Sequence, residues 1–363
     1  MKVKVFCLMI LFCSQIQADV FNLKNDFWSS ASIYEKSSSQ QYHLGIQYKP
    51  TISMNIIQKK KFKIDSEIIA DLSYQYIKND STHFEEKDAE IYRGWMRYSG
   101  SQFEARVGLQ KINFGHAQLL RSLKWFDTID PRDPQEETGG VQAALFRYYF
   151  LNNANIWLWG IYAENELKGL EVFPSKEESF EFGGRIQYPF EFCEAAFSYH
   201  HRELENDNTL ESRFGFDARW DFEIGLWIET VATKYSENEI TPNWGKYLTL
   251  GADYTIPLGN GIHILGEHFV YSKSEDGLFV SSYKIESSAV SFSYPIGLFD
   301  SIMAMIVYNW ENENWFRFLS YQRIYDHLSI FLNLSWNPEV NSFNPDQISN
   351  DGKSIQMIIG YSF

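Results

Sequence analysis

Alternation of polar and apolar residues, repeated in segments of about ten residues, constrains this chain more than any other feature of its sequence. Residues 62–74, 180–188, 213–220 and 328–336 all alternate in this way. Because strand side chains point to opposite faces in turn, each segment forms a strand with one apolar and one polar face. Beyond the first twenty residues no apolar run reaches the roughly 18 residues that a membrane-spanning helix needs. The pattern therefore predicts an all-β fold, a transmembrane antiparallel up-and-down β-barrel.

The final segment, residues 354–363, carries the same pattern to the end of the sequence. Ile355, Met357 and Tyr361 share an apolar face with Phe363, and Gln356 lies on the other face. An aromatic residue that ends an alternating strand resembles the signal that outer-membrane proteins present to their assembly machinery. The resemblance implies that Tyr361 and Phe363 form this assembly signal in a Gram-negative outer membrane. It also implies contact with outer-membrane lipid and lipopolysaccharide.

The amino-terminal segment has the layout of a secretory signal peptide. Lys2 and Lys4 precede an apolar run over residues 5–12, and Ala18 is the favoured cleavage position. We therefore expect a signal peptide over 1–18, a short periplasmic leader over 19–26, and one outer-membrane barrel over 27–363. An exported chain of this kind is expected in the cell outer membrane.

Composition excludes several other classes of protein. A formal net charge of −15 argues against binding to nucleic acid. Of the three cysteines, only Cys193 lies outside the signal segment, so neither an intrachain disulfide nor a cysteine zinc site is expected. Ser198 and His200 share a strand face, yet no G-x-S-x-G or phosphate-binding glycine loop accompanies them. We expect no catalytic residue, no metal and no cofactor.

Alternation gives about seventeen strands from Tyr42 onward, whereas bacterial single-chain barrels usually have an even number. A first strand over Phe27–Tyr34 raises the count to 18 and returns both termini to the periplasm. We predict 18 strands, with 16 as the alternative, and an interior too wide for wall side chains to fill. Short turns are expected on the periplasmic side and longer loops on the outside.

One connection, the long loop predicted over residues 110–139, far exceeds the usual connection of about 4 to 6 residues. It contains Phe114, Leu119, Trp125 and Phe126, which are too apolar to remain in solvent. We therefore predict that the long loop folds back into the barrel lumen. Its position resembles the constriction loop of porins, and the run GLQKINFGHAQ followed by a tryptophan is similar to the alginate-export-like branch of outer-membrane channels. That second resemblance implies a polysaccharide conduit as an alternative function.

Charged residues on the long loop and on the adjacent strands are the candidate constriction. An acidic loop opposite a wall of arginines would create a transverse field that orders dipolar solutes. In the alternative interpretation, the charges only brace the loop against the wall. The candidates are Arg93, Arg97, Arg106 and Arg147 on the wall, and His116, Arg121, Lys124, Asp127, Asp130, Arg132 and Asp133 on the loop.

The sequence thus favours a porin-like channel for passive or facilitated passage of small hydrophilic solutes. A non-conducting structural or adhesin barrel is the alternative from another class. Trp227, Tyr247 and Phe331 could form a stacking track for sugars if all three face the lumen. A homo-oligomer is compatible with the sequence, which does not set the oligomeric state.

Overall fold

Eighteen antiparallel strands form one closed sheet in the computed structural model. The model describes residues 21–363 apart from 37–38, 80–81, 206–208, 237–242, 276, 279, 281–282 and 339–351. The strands are β1 (Phe21–Lys36), β2 (Ser39–Gln58), β3 (Phe62–Lys78), β4 (His83–Gly100), β5 (Phe103–Gln110), β6 (Val141–Tyr149), β7 (Asn155–Tyr162), β8 (Phe180–Pro189), β9 (Glu194–Glu203), β10 (Leu210–Asp221), β11 (Gly225–Tyr235), β12 (Trp244–Ile256), β13 (Ile262–Ser274), β14 (Tyr283–Pro295), β15 (Asp300–Asn309), β16 (Asn314–Ile324), β17 (Leu328–Asn337) and β18 (Gly352–Ser362). The predicted fold class and the count of 18 are confirmed.

Closure of the sheet depends on the pairing of its first and last strands. Strand β1 pairs with β18 over a register that includes Phe27 opposite Tyr361. The amide of Asn25 donates to the carbonyl oxygen of Phe363 at 2.9 Å, and the amide of Phe363 donates back at 3.0 Å. These bonds satisfy the edges that an open sheet would leave bare in hydrocarbon.

Strand β1 begins six residues earlier than predicted. It starts at Phe21, and Phe21 to Asp26 pair with Met54 to Lys49 of β2. The apolar alternation is weak in this segment, so the sequence pattern alone gave a start at Phe27. Residues 21–26 are therefore strand residues, whereas the predicted signal peptide over 1–18 lies outside the described residues.

The two faces of the sheet differ in the way that the alternation requires. On the outer face of β18, Ile355, Met357 and Tyr361 are exposed, whereas Ile358 on the inner face is 6% exposed. On β10 and β11, Asp217 and Glu229 are fully buried on the inner face. The apolar outer face suits lipid, and the polar inner face suits a hydrated interior. No helix in the described part of the chain is long and apolar enough to cross a membrane.

Connections at the two ends of the barrel differ in length. At one end, the eight connections from β2–β3 to β16–β17 have two to five residues each. At the other end lie residues 111–140, which are the long loop, and residues 163–179, which we call the second loop. The long loop is the third connection at its end, as predicted. Both loops begin and end on the side of the barrel formed by β5 to β8.

Candidate functional site

The long loop packs through an apolar cluster against the inner face of β6, β7 and β11. Phe114 of the loop stacks on Trp159 of β7 with ring centroids 5.8 Å apart. Trp125 meets Phe114 edge to face, and Phe126 meets both Phe114 and Trp159 in the same way. The cluster comprises Ile112, Phe114, Leu123, Trp125, Phe126, Val141, Ala143, Leu145, Trp159, Ile161 and Val231. Burial of each large side chain contributes about 1.5 to 3 kcal/mol, so the cluster fixes this part of the loop firmly.

A single carboxylate on β11 binds the loop backbone at three points. Glu229 accepts hydrogen bonds from the amides of His116 at 2.7 Å, Ala117 at 2.8 Å and Leu123 at 3.0 Å. The side chain of Glu229 is fully buried. Bonds from amides to a carboxylate are stronger than those between neutral groups, and they satisfy a turn that has no strand partner. Glu229 therefore determines the course of the loop near His116.

A second wall carboxylate, on β13, binds the next turn of the loop. Glu267 accepts from the amides of Gln118 at 2.7 Å, Leu119 at 2.9 Å and Leu120 at 2.5 Å. The indole of Trp227 also donates to Glu267, at 3.2 Å. Sequence reasoning missed Glu267, because its only signal was an acidic residue on a strand face that had not been assigned.

The loop then returns to the opposite wall. Its Glu137 pairs with Lys49 of β2 and accepts from the amide side chain of Gln47 at 2.8 Å. The guanidinium of Arg93 on β4 donates to the carbonyl oxygen of Thr138 at 2.7 Å. In a ring of 18 strands, β4 and β13 lie on opposite sides. The long loop therefore contacts inward-facing side chains on both sides of the barrel.

Four charged residues of the long loop pair with each other. Arg121 pairs with Asp127, and Arg132 pairs with Asp130 at 2.6 Å. Burial raises the pKa of the Asp130 carboxyl, but the bonds from Arg132 outweigh it, so the pKa lies below its usual value. Burial also lowers the pKa of the Lys124 ammonium, which donates to the carbonyl oxygen of Ile129 at 3.1 Å.

Asp133 is the loop acid whose partners are backbone groups. Its carboxylate accepts from the amides of Gln135 at 3.0 Å and Glu137 at 2.8 Å. Burial raises the pKa of Asp133 in spite of these two bonds. Asp127, Asp130 and Asp133 therefore brace the loop itself.

Three of the predicted wall arginines come together on β4, β5 and β6. Arg97, Arg106 and Arg147 share the carboxylate of Glu104 at 3.2 to 3.6 Å, and Arg97 also binds Asp65 at 2.6 Å. Arg106 lies over Trp95, and Arg147 lies 3.8 Å from the ring centre of Trp157. Their counter-ions are thus wall acids, and of the four predicted wall arginines Arg93 is the one bonded to the long loop.

His116 lies at the point where the loop meets β9 and β10. Its Nε2 is 3.3 Å from Asp217 and 3.7 Å from Glu194. Burial lowers the pKa of His116, although both carboxylates act in the opposite direction. The imidazole therefore sits in the loop anchor and not at a free surface.

The second loop, which sequence reasoning did not single out, supports the long loop from above. The amide of Leu170 donates to the carbonyl oxygen of Lys124 at 2.9 Å. Beneath it, Glu171 binds Arg202 at 3.0 Å and Arg213 at 3.1 Å, and Glu211 binds the same two arginines at 2.7 and 2.6 Å. We call these four residues the buried quartet. The only sequence signal for the quartet was the spacing of Glu211 and Arg213, which places both side chains on one face of β10.

Trp227, Tyr247 and Phe331 do not form the stacking track that was one possibility for them. Trp227 is 2% exposed and donates to Glu267, and Tyr247 packs against the apolar cluster of the loop. Both side chains hold the long loop, so they offer no face to a solute. Phe331 is separate from them and lies 6.3 Å from Trp28.

A cavity of about 320 Å³ lies between the long loop and the wall on its return side. Pro134 and Gln135 form its loop side, and Trp28, Lys49 and Tyr92 belong to its wall side. Among the described residues, no three histidine, cysteine or acidic side chains converge as a metal site would require. The chemistry available here is hydrogen bonding and charge, with one indole surface.

Solved structures from Pseudomonas and Acinetobacter share this fold. Pseudomonas aeruginosa OccK7 (OpdD) aligns with a TM-score of 0.59 at 10% identity, covering 95% of this chain and 99% of that one. Pseudomonas aeruginosa OpdQ gives 0.60 at 10% identity over 96% and 99%, and Acinetobacter baumannii OccAB1 gives 0.61 at 9% identity over 94% and 96%. No family model and no curated protein matches the sequence. At this identity the likeness shows the fold, which is the 18-stranded barrel.

Proposed function

We propose that this protein is a porin-like channel of the outer membrane that passes small hydrophilic solutes, and that the long loop lies in the lumen and narrows it. The contacts of the loop with inward-facing groups on both sides of the barrel carry the proposal: Glu229 and Glu267 on one side, Lys49 and Arg93 on the other. An 18-stranded barrel without such a segment is wide enough for an aqueous channel.

The direction of the loop supports a constriction and not a plug. Its hydrogen bonds and ion pairs reach β2, β4 and β9 to β13. Strands β14 to β18 complete the ring on the side away from these contacts. Solutes would pass between the loop and that side. The solved relatives in fold are outer-membrane porins, which supports the same location for this chain.

Within the constriction, we infer two roles for the predicted site residues. Arg121, Asp127, Asp130, Arg132 and Asp133 brace the loop through the bonds described above. The cluster formed by Arg97, Arg106 and Arg147 stiffens the wall behind the loop and contributes a local positive field that Glu104 and Asp65 partly offset. Passage through such a channel requires no catalytic residue.

Conductance in a planar lipid bilayer tests the function. The purified barrel should give stepwise openings in simple salt, and deletion of Ala117–Pro134 with a short glycine-serine bridge should enlarge the steps. The deletion removes the part of the loop that reaches Glu267 and therefore frees the lumen. Heat-modifiable migration on gels verifies that both proteins are folded barrels.

Two outcomes would contradict the proposal. A folded wild-type barrel that gives no steps would favour a structural or adhesin barrel with a closed lumen. Equal steps from the wild type and the deletion variant would show that the long loop does not limit the passage.

A further inference from the structure

The inner face of β14 to β18 differs in chemistry from the rest of the wall. Pairing places alternate residues inward, such as Ser291 opposite Met305 and Asn333 opposite Gln356. On all five strands every inward residue of the described chain is uncharged, being serine, asparagine, glutamine, glycine, tyrosine or an apolar residue. We call this face the neutral wall. The charged inward residues lie on the other strands, most of them on β4 to β13, with Lys49 on β2 and Asp71 on β3 among the rest.

This separation has a physical consequence for solutes. A charged solute moving along the neutral wall loses water and gains no counter-charge, which costs free energy. A neutral solute with hydroxyl groups can exchange its bonds to water for bonds to serine hydroxyls and side-chain amides. On the facing loop, Arg121 and Arg132 are already paired with Asp127 and Asp130. The loop therefore provides little free charge to compensate.

One group on the neutral wall has unused hydrogen-bonding capacity. Asn333 is only 5% exposed, and its side-chain Nδ2 donates a hydrogen bond to Oε1 of Gln356 at 3.2 Å. Its Oδ1 is buried and has no hydrogen-bond partner among the described residues. A buried acceptor without a partner is costly unless a donor from water or a solute reaches it. A solute hydroxyl is such a donor.

An indole surface completes this side of the passage. Trp28 on β1 faces Gly360 on β18, where a Cβ would lie 2.5 Å from the ring. The ring of Phe331 lies 6.3 Å from it, and Trp28 lines the cavity beside the loop. Because Gly360 has no side chain, the indole lies flat against the wall. A flat aromatic face accepts the C–H face of a ring-shaped sugar.

We propose that the channel favours uncharged, hydroxyl-rich solutes over charged solutes of equal size, and that Asn333 and Trp28 contact the passing solute. This inference rests on the proposed channel function and names its solute class. It assigns the selectivity to the neutral wall, whereas the arginine cluster on β4 to β6 stiffens the scaffold.

Uptake of radiolabelled glucose, glucuronate and glucosamine into proteoliposomes tests the solute class. These hexose derivatives are close in size and differ in charge. Glucose should enter about fivefold faster than either charged compound, since a modest desolvation penalty is enough for that ratio. Equal or faster uptake of glucuronate or glucosamine by a conducting protein would overturn the inference and leave the channel function intact. A protein without conductance would instead fail the proposed function.

Two substitutions test the residues. Asn333→Asp places a charge on the neutral wall and should raise the ratio of glucosamine to glucuronate uptake by about fivefold. Gln356→Glu should do the same if the first variant does not fold, and Asn312→Asp in the exposed β15–β16 turn is the matched control. An unchanged ratio in a folded variant would exclude contact between the solute and this part of the wall.

Trp28→Ala tests the indole surface independently of pore width. Removal of the ring widens the passage for every solute, so the informative quantity is the ratio of glucose to the open-chain polyol mannitol. We expect that ratio to fall, because mannitol has no ring face to stack. A constant or rising ratio would show that Trp28 does not contact the solute.

Discussion

Gly169 lies so close to Lys124 that a Cβ atom at position 169 would be 2.1 Å from the Lys124 carbonyl oxygen. The same carbonyl accepts the amide of Leu170 at 2.9 Å, so the second loop is joined to the long loop backbone to backbone. Gly169 also has a φ of 53°, in the left-handed region that favours glycine. Two independent requirements therefore select glycine at this position.

Gly169→Ala should separate the two loops. The left-handed conformation and the backbone contact together cost about 1 to 3 kcal/mol, which the second loop can relieve only by moving away from Lys124. We expect more frequent transitions between conductance levels in bilayer recordings, with the barrel still folded. Gly139→Ala is the matched control, because a Cβ there meets no atom within 4 Å. Identical recordings from both variants would show that the close contact between Gly169 and Lys124 does not steady the long loop.

Much of the fold followed from the sequence because alternation is a local and periodic property, and because strands that are consecutive in the chain pair with each other. The 18 strands and the position of the long loop as the third connection at its end were both predicted. The start of β1 was not, because Asn25 places a polar residue on the otherwise apolar face of Leu23 and Phe27 and interrupts the alternation there. Pairing with β2, which alternation does not report, extends that strand to Phe21.

Less of the candidate site could be predicted, because contacts across a barrel join residues far apart in sequence. The loop charges were expected to face the arginines, yet Asp127 pairs with Arg121 six residues away and Asp130 with Arg132 two residues away. Glu267 binds amides nearly 150 residues before it. Its role could be found only once the strands had been placed around the ring.

Glu229 and Glu267 should hold the long loop in place. Glu229→Ala and Glu267→Ala each remove the acceptor for three backbone amides, which costs about 1 to 3 kcal/mol for amides that water cannot reach. We expect larger or less stable conductance steps in each variant and a further increase in the double variant. Single-channel recording measures the effect.

Glu191→Ala, in the exposed β8–β9 turn, provides the control for removing a glutamate. Because Glu229 and Glu267 bind successive turns of one loop, their effects should not be additive. Steps like those of the wild type in the double variant would show that the apolar cluster alone positions the loop.

The buried quartet makes a separate prediction about stability. Glu171→Gln leaves Arg202 and Arg213 with one carboxylate between them, and an uncompensated buried charge costs about 3 to 5 kcal/mol. The temperature at which the folded barrel converts to the unfolded gel form should fall clearly. Glu164→Gln on the same loop is exposed and should leave that temperature unchanged. Equal temperatures for the two variants would show that the quartet does not stabilise the barrel.

Phe363 should matter for assembly more than for the finished channel. Its backbone pairs with Asn25, and its side chain remains exposed on the outer face. Phe363→Ala retains the backbone bonds, so a barrel refolded in detergent should conduct like the wild type. In cells, the amount of heat-modifiable protein in the outer membrane should fall if the terminal aromatic is the assembly signal. Phe299→Ala, in a turn at the same end of the barrel, is the control. Equal amounts of the two variants in the outer membrane would contradict the assignment of Phe363 to the assembly signal.

The anchor at His116 should weaken as the pH falls. Burial holds the pKa of His116 below its usual value against Asp217 and Glu194, and Arg185 and Arg219 act in the same direction as burial. A released loop therefore binds the proton at a higher pH than the anchored loop does. Anchoring is complete above the usual histidine pKa of about 6.5 and declines as the pH falls from there toward the lower pKa of the anchored form.

Channel openings in bilayer recordings should therefore become more frequent as the pH is lowered from about 7.5 to about 5.5. His116→Gln should reduce this dependence and His83→Gln, at an exposed site on β4, should not; a dependence of equal slope in all three proteins would assign the pH response to other groups.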